Sequence, residues 1–440
     1  MCLRGRFSEE RRNSAGTPRL DGVIFADLAA AVVLSALAFG AVEPWSIAIF
    51  ELNALLVGVL LGIRFVLGAP WRLPAIVLPP AALLVWGGAQ LLPLGSRAGG
   101  RLSQDPHATA EAVIRLLALL IYFVAACVVL RQVGRRRMVF VLLTVFGFAV
   151  SFFAILQRLT DNGKMYWVRA VSPNIAPYGP FGNYNHFAGF VELILPLPLA
   201  YLFTARIRIE QRVLWMLAAA VMAVAAVFSL SRGGMLAIAV EILLLVPLAR
   251  RACAGDAHDY GRWMLAPALL AVIAILALWI GYDRLLHRFN ATRQGAGEYS
   301  LVTRAEYWRN SWRMVLDHPI AGVGLGAFPA VYPAYGRSTA KYERLEQTHN
   351  DYLQLLTDAG AVGGLIGLWF LAELALAARR RLPQIAHVQG RERAILLGGF
   401  TAVAGLLVHS FTDFNLQIPS NALLFLFVLA LAISVEPADT

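Results

Sequence analysis

The stretch T-H-N-D-Y-L-Q-L-L-T-D-A-G-A-V-G-G, residues 348–364, joins the longest polar segment of the chain to a hydrophobic run. Leu353, Leu356, Gly360 and Gly363 recur at helical spacing, so a helix is expected to begin near His349. Gly360 with Gly364, and Gly363 with Gly367, form small-xxx-small pairs that let a neighbouring helix approach closely. The segment therefore fixes an ionisable ring at a membrane boundary on a tightly packed helix. A catalytic base fits that pattern. So does a histidine that caps a helix or bonds lipid headgroups.

Working outward, the chain of 440 residues is 59% hydrophobic and only 15% charged. That composition suits a bilayer and not a soluble core. Apolar runs long enough to span are read at about 22–42, 46–68, 73–93, 112–130, 138–157, 186–204, 213–229, 233–249, 263–281, 359–378, 394–411 and 419–435. The expected fold is an all-α integral membrane protein with about twelve transmembrane helices. Residues 22–435 form one polytopic domain between an N-terminal tail (1–21) and a C-terminal tail (436–440). The first run is long, lacks an A-x-A site and is followed at once by another span, so it reads as a membrane helix and not as a cleaved signal.

Arginines set the orientation. They cluster in the first tail and in alternate connections: Arg64 and Arg72; Arg131 and Arg135 to Arg137; Arg206, Arg208 and Arg212; Arg250, Arg251 and Arg262; Arg379 to Arg381, Arg391 and Arg393. The positive-inside rule makes that side cytoplasmic and both termini internal. The net charge of +11 is then a topology signal, and no basic-aromatic module or zinc finger points to nucleic acid. Cys2, Cys127 and Cys253 are too scattered for a disulfide framework or a metal cluster. No metal-ligand motif and no G-x-S-x-G elbow is present.

The opposite, outer side carries two loops, 158–185 and 282–358, the turn Ser229-Leu230-Ser231-Arg232-Gly233-Gly234, and the short loop from His409 to Asn415. The large loop is basic, with Arg284, Arg288, Arg293, Arg304, Arg309, Arg313, Arg337, Lys341 and Arg344. Arg232 lies at a membrane boundary, where an arginine needs a partner, a wet cavity or a route to the interface. Its planar fork suits phosphate oxygens. Residues 303–317 read as an amphipathic interfacial helix, with Trp308, Trp312, Val315 and Leu316 as its apolar stripe and Arg304 in its first turn. G-V-G-L-G-A-F (322–328) reads as a flexible turn; with no preceding strand and no P-loop lysine it is not a phosphate cradle. In the smaller loop Asn183, Asn185 and His186 stand beside Tyr178, Phe181 and Tyr184. Amides and aromatics together suit sugar recognition, and equally an aromatic belt with capping asparagines. The acids Asp27, Glu51, Glu192, Glu241 and Glu373 fall inside spans but are scattered.

The order S-R-G-G, then R-x-x-x-W from Arg304 to Trp308, then H-P-I-A-G-V-G-L-G-A-F (318–328), then H-N-x9-G-x-x-G, resembles the O-antigen ligase and polymerase superfamily. The resemblance runs from about Tyr178 to the last span. It implies a membrane-embedded, GT-C-like glycosyltransferase of the bacterial inner membrane whose active site faces the periplasm. The implied donor is a glycan on undecaprenyl pyrophosphate. The implied acceptor is a lipid A-core sugar, another lipid-linked glycan or a protein hydroxyl. By the same resemblance Arg232 and Arg304 bind pyrophosphate, and His349 is the general base with Asn350 beside it. Asn183, Asn185, His186 and Trp308 are expected to contact substrate. No metal and no cofactor is expected. A flippase for the same lipid-linked glycan is the competing class, requiring a charged path through the membrane and no base. A non-catalytic scaffold is the third.

The alternating arginines give a direct test of orientation. A reporter fused within 250–262 is expected to score cytoplasmic, and one within 330–340 periplasmic. The same compartment for both would overturn this topology.

Overall fold

The computed structural model describes residues 2–93, 102–160, 162–170, 177–253, 271, 275, 299–336, 345–388 and 390–435; for 2–17 and 299–303 it describes the backbone alone. The expected span at 263–281 lies outside the described residues, save for two positions. So do Arg262, Arg284, Arg288, Arg293, Arg337, Lys341 and Arg344.

The fold is all-α. In chain order the helices are α1 (Cys2–Leu37), α2 (Pro44–Val66), α3 (Leu78–Gln90), α4 (Pro106–Val129), α5 (Val133–Leu159), α6 (Tyr184–Glu192), α7 (Pro196–Thr204), α8 (Ile209–Phe228), α9 (Arg232–Ala252), α10 (Tyr299–Asp317), α11 (Asp351–Arg381), α12 (Gly390–His409) and α13 (Pro419–Ile433). A hairpin pairing Lys164–Met165 with Arg169–Ala170 decorates the smaller loop. Nine of the helical segments among the described residues are long and apolar enough to cross a bilayer, and Ala75–Gln90 and Pro419–Ile433 are shorter apolar helices. Large apolar side chains stand exposed along them, among them Leu52, Val59, Leu243 and Leu365. Such surface belongs against lipid.

The expected span at 186–204 is wholly buried and broken in two. Proline explains the break: Pro196 has no N–H to continue the ladder of α6, so the chain turns through Leu193–Leu195 and restarts as α7. Helices α7, α9 and α13 surround α12, which forms the centre of the bundle. At the arginine-rich end Arg136 is buried. Its Nε meets Glu392 at 2.6 Å, and its Nη1 donates to the carbonyls of Leu130, Arg131 and Ser434. A buried charge needs such a full set of partners. One arginine thus ties the α4–α5 turn to the foot of α12 and the end of α13.

Helix α11 is built around a break. Gly360 has φ +63° and ψ −157°, a conformation essentially reserved for glycine. A continuous helix would bond Ala361 N–H to Thr357 O and Val362 N–H to Asp358 O. Here Ala361 N–H donates to Pro319 O (2.8 Å) and Val362 N–H to Ile320 O (3.3 Å). The freed carbonyls of Thr357 and Asp358 accept from Val323 N–H (2.8 Å) and Gly324 N–H (3.0 Å). The segment 319–324 therefore inserts into the helix and replaces the two bonds it displaces. Gln90 of α3 completes the clamp: Nε2 donates to Ala321 O and Asp358 O, and Oε1 accepts from Leu325 N–H.

Two expectations are corrected by this arrangement. The glycine-rich stretch at 322–328 is a hydrogen-bonded strap with Val323, Ala327 and Phe328 buried, not a flexible turn. Of the four glycines in the small-xxx-small pairs, only Gly360 admits another chain segment. Side chains added at Gly363, Gly364 or Gly367 would meet atoms of α11 itself.

Gly360→Ala is expected to cost about 1–3 kcal/mol from its backbone conformation alone, and more because the new Cβ would collide with the Ile320 carbonyl. Gly364→Ala meets only the movable end of Leu356 and is expected to be mild. Thermal unfolding of both variants in detergent checks the difference. Equal losses would contradict the inserted strap.

Candidate functional site

The site lies at the end of the bundle opposite the arginine clusters, where α6, α9 and α11 begin and α12 ends. Its centre is Asp413, in the short loop after α12, with a side chain only 1% exposed. Three cationic or titratable side chains from three elements face it. His349 Nδ1 is 3.5 Å from Oδ1, His186 Nε2 is 3.9 Å from Oδ1, and Arg304 Nη2 is 3.8 Å from Oδ2. Phe414 wedges between the imidazoles, edge-on to both, with ring centroids 4.7 Å from His186 and 4.9 Å from His349. Tyr307 of α10 stacks on His349 at 6.4 Å.

Asp413 is held ionised. Burial pushes its carboxyl up, but interaction with His349 and the nearby charges of His186 and His409 outweigh this and hold it below the usual carboxylate range. Phe414 N–H adds a hydrogen bond of 2.9 Å to Oδ1. His349 Nδ1 is buried at ion-pair distance without a formed hydrogen bond, while the side chain as a whole is 25% exposed. The open part of the ring is therefore the edge away from Nδ1, which carries Nε2.

The backbone presents His349. Its φ is +55°, a left-handed conformation that a histidine adopts only under constraint. The constraints come from both sides. Thr348 N–H donates to Gln354 Oε1 and its hydroxyl to Asn350 O. Trp308 Nε1 donates 3.1 Å to Thr348 O. Asn350 caps α11, its Oδ1 accepting from Tyr352 N–H and Leu353 N–H at 3.0 Å each. The first turn of α11 is then stapled to the Asp413 loop. Asp351 N–H donates to Ser410 O, and Asp351 Oδ2 accepts from Ser410 Oγ and Leu416 N–H.

The expected residues thus fall into groups. His349, Arg304 and His186 converge on one carboxylate. Arg232 is exposed at the first position of α9, behind its cap Ser231, with no ion-pair partner among the described residues. Its neighbour Gly233 is so close to His409 and Thr412 that an added Cβ would collide with both, so Arg232 borders the same loop. Asn350 and Trp308 have their carbonyl oxygen and indole N–H committed to the T-H-N segment. Asn183 caps α6, accepting from Asn185 N–H at 2.8 Å. Asn185 is buried.

Several expectations change. Tyr178 and Phe181 are buried against Phe187 and Phe190, so their rings fill the core and offer no face to a sugar. Helix α10 forms as expected, but Met314, Asn310 and Ser311 make its buried face. Trp312, Leu316 and Ile320 point outward, where an interfacial helix meets lipid. Arg304 sits in its second turn, since the helix starts at Tyr299. Nor are all the intramembrane acids scattered. Glu192 accepts from His409 Nδ1 at 3.0 Å, and Glu241 presses against Gly405, one turn along the same helix. Asp413, Asp351 and the His409–Glu192 pair are the residues that sequence reasoning passed over.

This geometry defines a multi-pass, all-α membrane protein with a charged site at the mouth of its bundle. Residues 217–368, about a third of the chain, match the family model for O-antigen ligase. The match agrees with the resemblance read from the sequence and is consistent with a member of the O-antigen ligase superfamily. It takes in Arg232, Arg304, Trp308, His349 and Asn350 but ends before Asp413 and begins after His186. No curated protein matches the chain.

Asp413→Asn keeps the shape of the hub and removes its charge. It is expected to cost about 1–3 kcal/mol at pH 7, more than Arg304→Gln, whose side chain is at the rim. A depressed carboxyl contributes fully above its ordinary value near 3.9 and loses that contribution as pH falls below it. The gap in Tm between wild type and Asp413→Asn should therefore narrow on acidification. A gap independent of pH would mean that Asp413 acts by shape alone.

Proposed function

We propose that this protein transfers a glycan from undecaprenyl pyrophosphate to a hydroxyl of an acceptor glycan, lipid A-core or another lipid-linked chain, at the periplasmic face of the bacterial inner membrane. The observation that carries the reading is the meeting of His349 and Arg304 on one buried carboxylate, Asp413, at the membrane boundary.

Asp413 orients His349 through Nδ1 and stabilises the imidazolium that forms, leaving Nε2 to accept the acceptor's proton. The acceptor oxygen bonds to the anomeric carbon as the bond from that carbon to the pyrophosphate oxygen breaks. A single displacement inverts the centre. The leaving group departs with its charge, and Arg304 and Arg232 neutralise that charge as it develops. Helices α6, α9 and α11 all start here, and their positive ends favour the same anion. Arginine forks supply what a divalent cation supplies elsewhere, so the reaction is metal-independent. Trp308 and Asn350 serve by holding the T-H-N segment, and Asn183 by capping α6. Asn185 and His186, in the first turn of α6, are assigned to the acceptor. The site lies at the rim of the bundle because a donor with a polyprenyl tail must reach it from the lipid.

Purified protein given lipid-linked donor and acceptor tests the reading. His349→Gln is expected to lose about 10²–10⁴-fold in turnover with donor binding retained, since an amide cannot take the proton. Arg304→Lys and Arg232→Lys are each expected to lose about 10²–10³-fold, because a point charge does not replace a bidentate fork. A chelator is expected to leave activity unchanged. Normal turnover per folded molecule in His349→Gln would remove the base, and loss on chelation restored by Mg²⁺ would overturn the arginine mechanism.

A further inference from the structure

At the opposite end of the bundle a cavity of about 450 Å³ opens between the foot of α11 and the ends of α4 and α13. Arg72, Arg131, Arg380 and Arg381 line it. They come from three separate places: the α2–α3 connection, the α4–α5 turn and the last turn of α11. The positive-inside rule asks only that arginines lie on this side. It does not ask that they converge on one hollow, where like charges repel unless an anion sits among them. Glu373 is the one acid in the lining among the described residues. Leu376 and Ala377 of α11, about one turn from Arg380 and Arg381, and Ile433 of α13 add apolar surface to the lining. Arg381 keeps its place by donating to the Val435 carbonyl. Arg72 and Arg380 are exposed, with no hydrogen bond or ion pair among the described residues.

Four arginines beside apolar side chains suit one kind of molecule, a phosphate-bearing headgroup with acyl chains attached. We infer that this cavity binds an anionic phospholipid of the cytoplasmic leaflet, with phosphate on the arginines and acyl chains along α11. Basic pockets between membrane helices on this side are suited to such headgroups. The bound lipid fastens the lipid-facing half of α11 to α4 and α13. The inference uses the orientation set by the arginines and is independent of the catalytic reading.

The test uses the full chain in a neutral detergent, with diphosphatidylglycerol, phosphatidylglycerol, phosphatidylcholine and inorganic phosphate as probes. Binding is read by native mass spectrometry and by the shift in Tm. Diphosphatidylglycerol and phosphatidylglycerol are expected to bind and raise Tm, whereas phosphatidylcholine and inorganic phosphate do not. The double variant Arg72→Gln, Arg380→Gln is expected to weaken the anionic lipids about tenfold, a loss of about 1.4 kcal/mol. Arg208→Gln with Arg379→Gln removes the same charge from exposed positions outside the lining and is expected to change affinity less than twofold. Equal losses in the two doubles would reduce the effect to general surface charge and overturn the site. Stabilisation by inorganic phosphate equal to that by lipid would make it a soluble-anion site. Tighter lipid binding by about tenfold in Glu436→Gln, Asp439→Asn would make the chain's own acidic end the occupant. Transfer activity plays no part in the readout, so failure here leaves the catalytic proposal standing.

Discussion

Four backbone hydrogen bonds around Gly360 hold the outer part of this protein together. A membrane helix normally satisfies its own backbone, because the bilayer offers no water to do so. Helix α11 gives up two of its bonds and receives four from the strap at 319–324. The exchange needs a residue without a side chain, in a conformation only glycine adopts readily. It joins α10 and α11 near their outer ends, and α3 through Gln90, into one rigid body. That body holds Arg304 on α10 and His349 just ahead of α11, the two groups that must share a carboxylate. The interval from Asn350 to Gly360 is therefore a length: the stretch of helix between the cap that presents the imidazole and the clamp that fixes the helix.

Much of this was legible in the sequence. Apolar runs located the helices, nine of them among the described residues long and apolar enough to cross and two shorter, because burial in lipid leaves a composition signal that needs no partner. The leucine and glycine spacing announced a helix start near His349, and α11 begins at Asp351. Arg232, Arg304 and His349 stood out because charge at a membrane boundary is costly without cause. Asp413 did not. It sits between Thr412 and Phe414 with no spacing that marks it, and its importance arises only when three other segments fold over it. Asp351 was hidden for the opposite reason: an acid in the first turn of a helix is ordinary. The structure gives it a second task, tying that turn to the loop of Asp413.

The misreadings have physical causes as well. Tyr178 and Phe181 looked like a sugar platform because aromatics beside amides fit either a ligand or a core, and only burial distinguishes them. The stripe on α10 was expected as that of an interfacial helix, and Trp312 and Leu316 do face outward while Asn310 and Ser311 turn in. Glu192 and Glu241 seemed scattered because they stand 49 positions apart in the sequence, yet both lean on the last turns of α12.

The break at Gly360 has a mechanical meaning. Before it, Asp351, Leu353, Gln354, Thr357 and Asp358 are buried in the outer body. Beyond it, α11 meets lipid along most of its length, with Leu365 and Leu368 more than half exposed. Bilayers differ in thickness, and a long helix accommodates the difference by tilting. An unbroken rod would carry that tilt straight to the imidazole. Here the strap bonds to both flanks of the glycine, so a load along the lipid-facing length is shared with the strap and with Gln90 of α3 before it reaches His349.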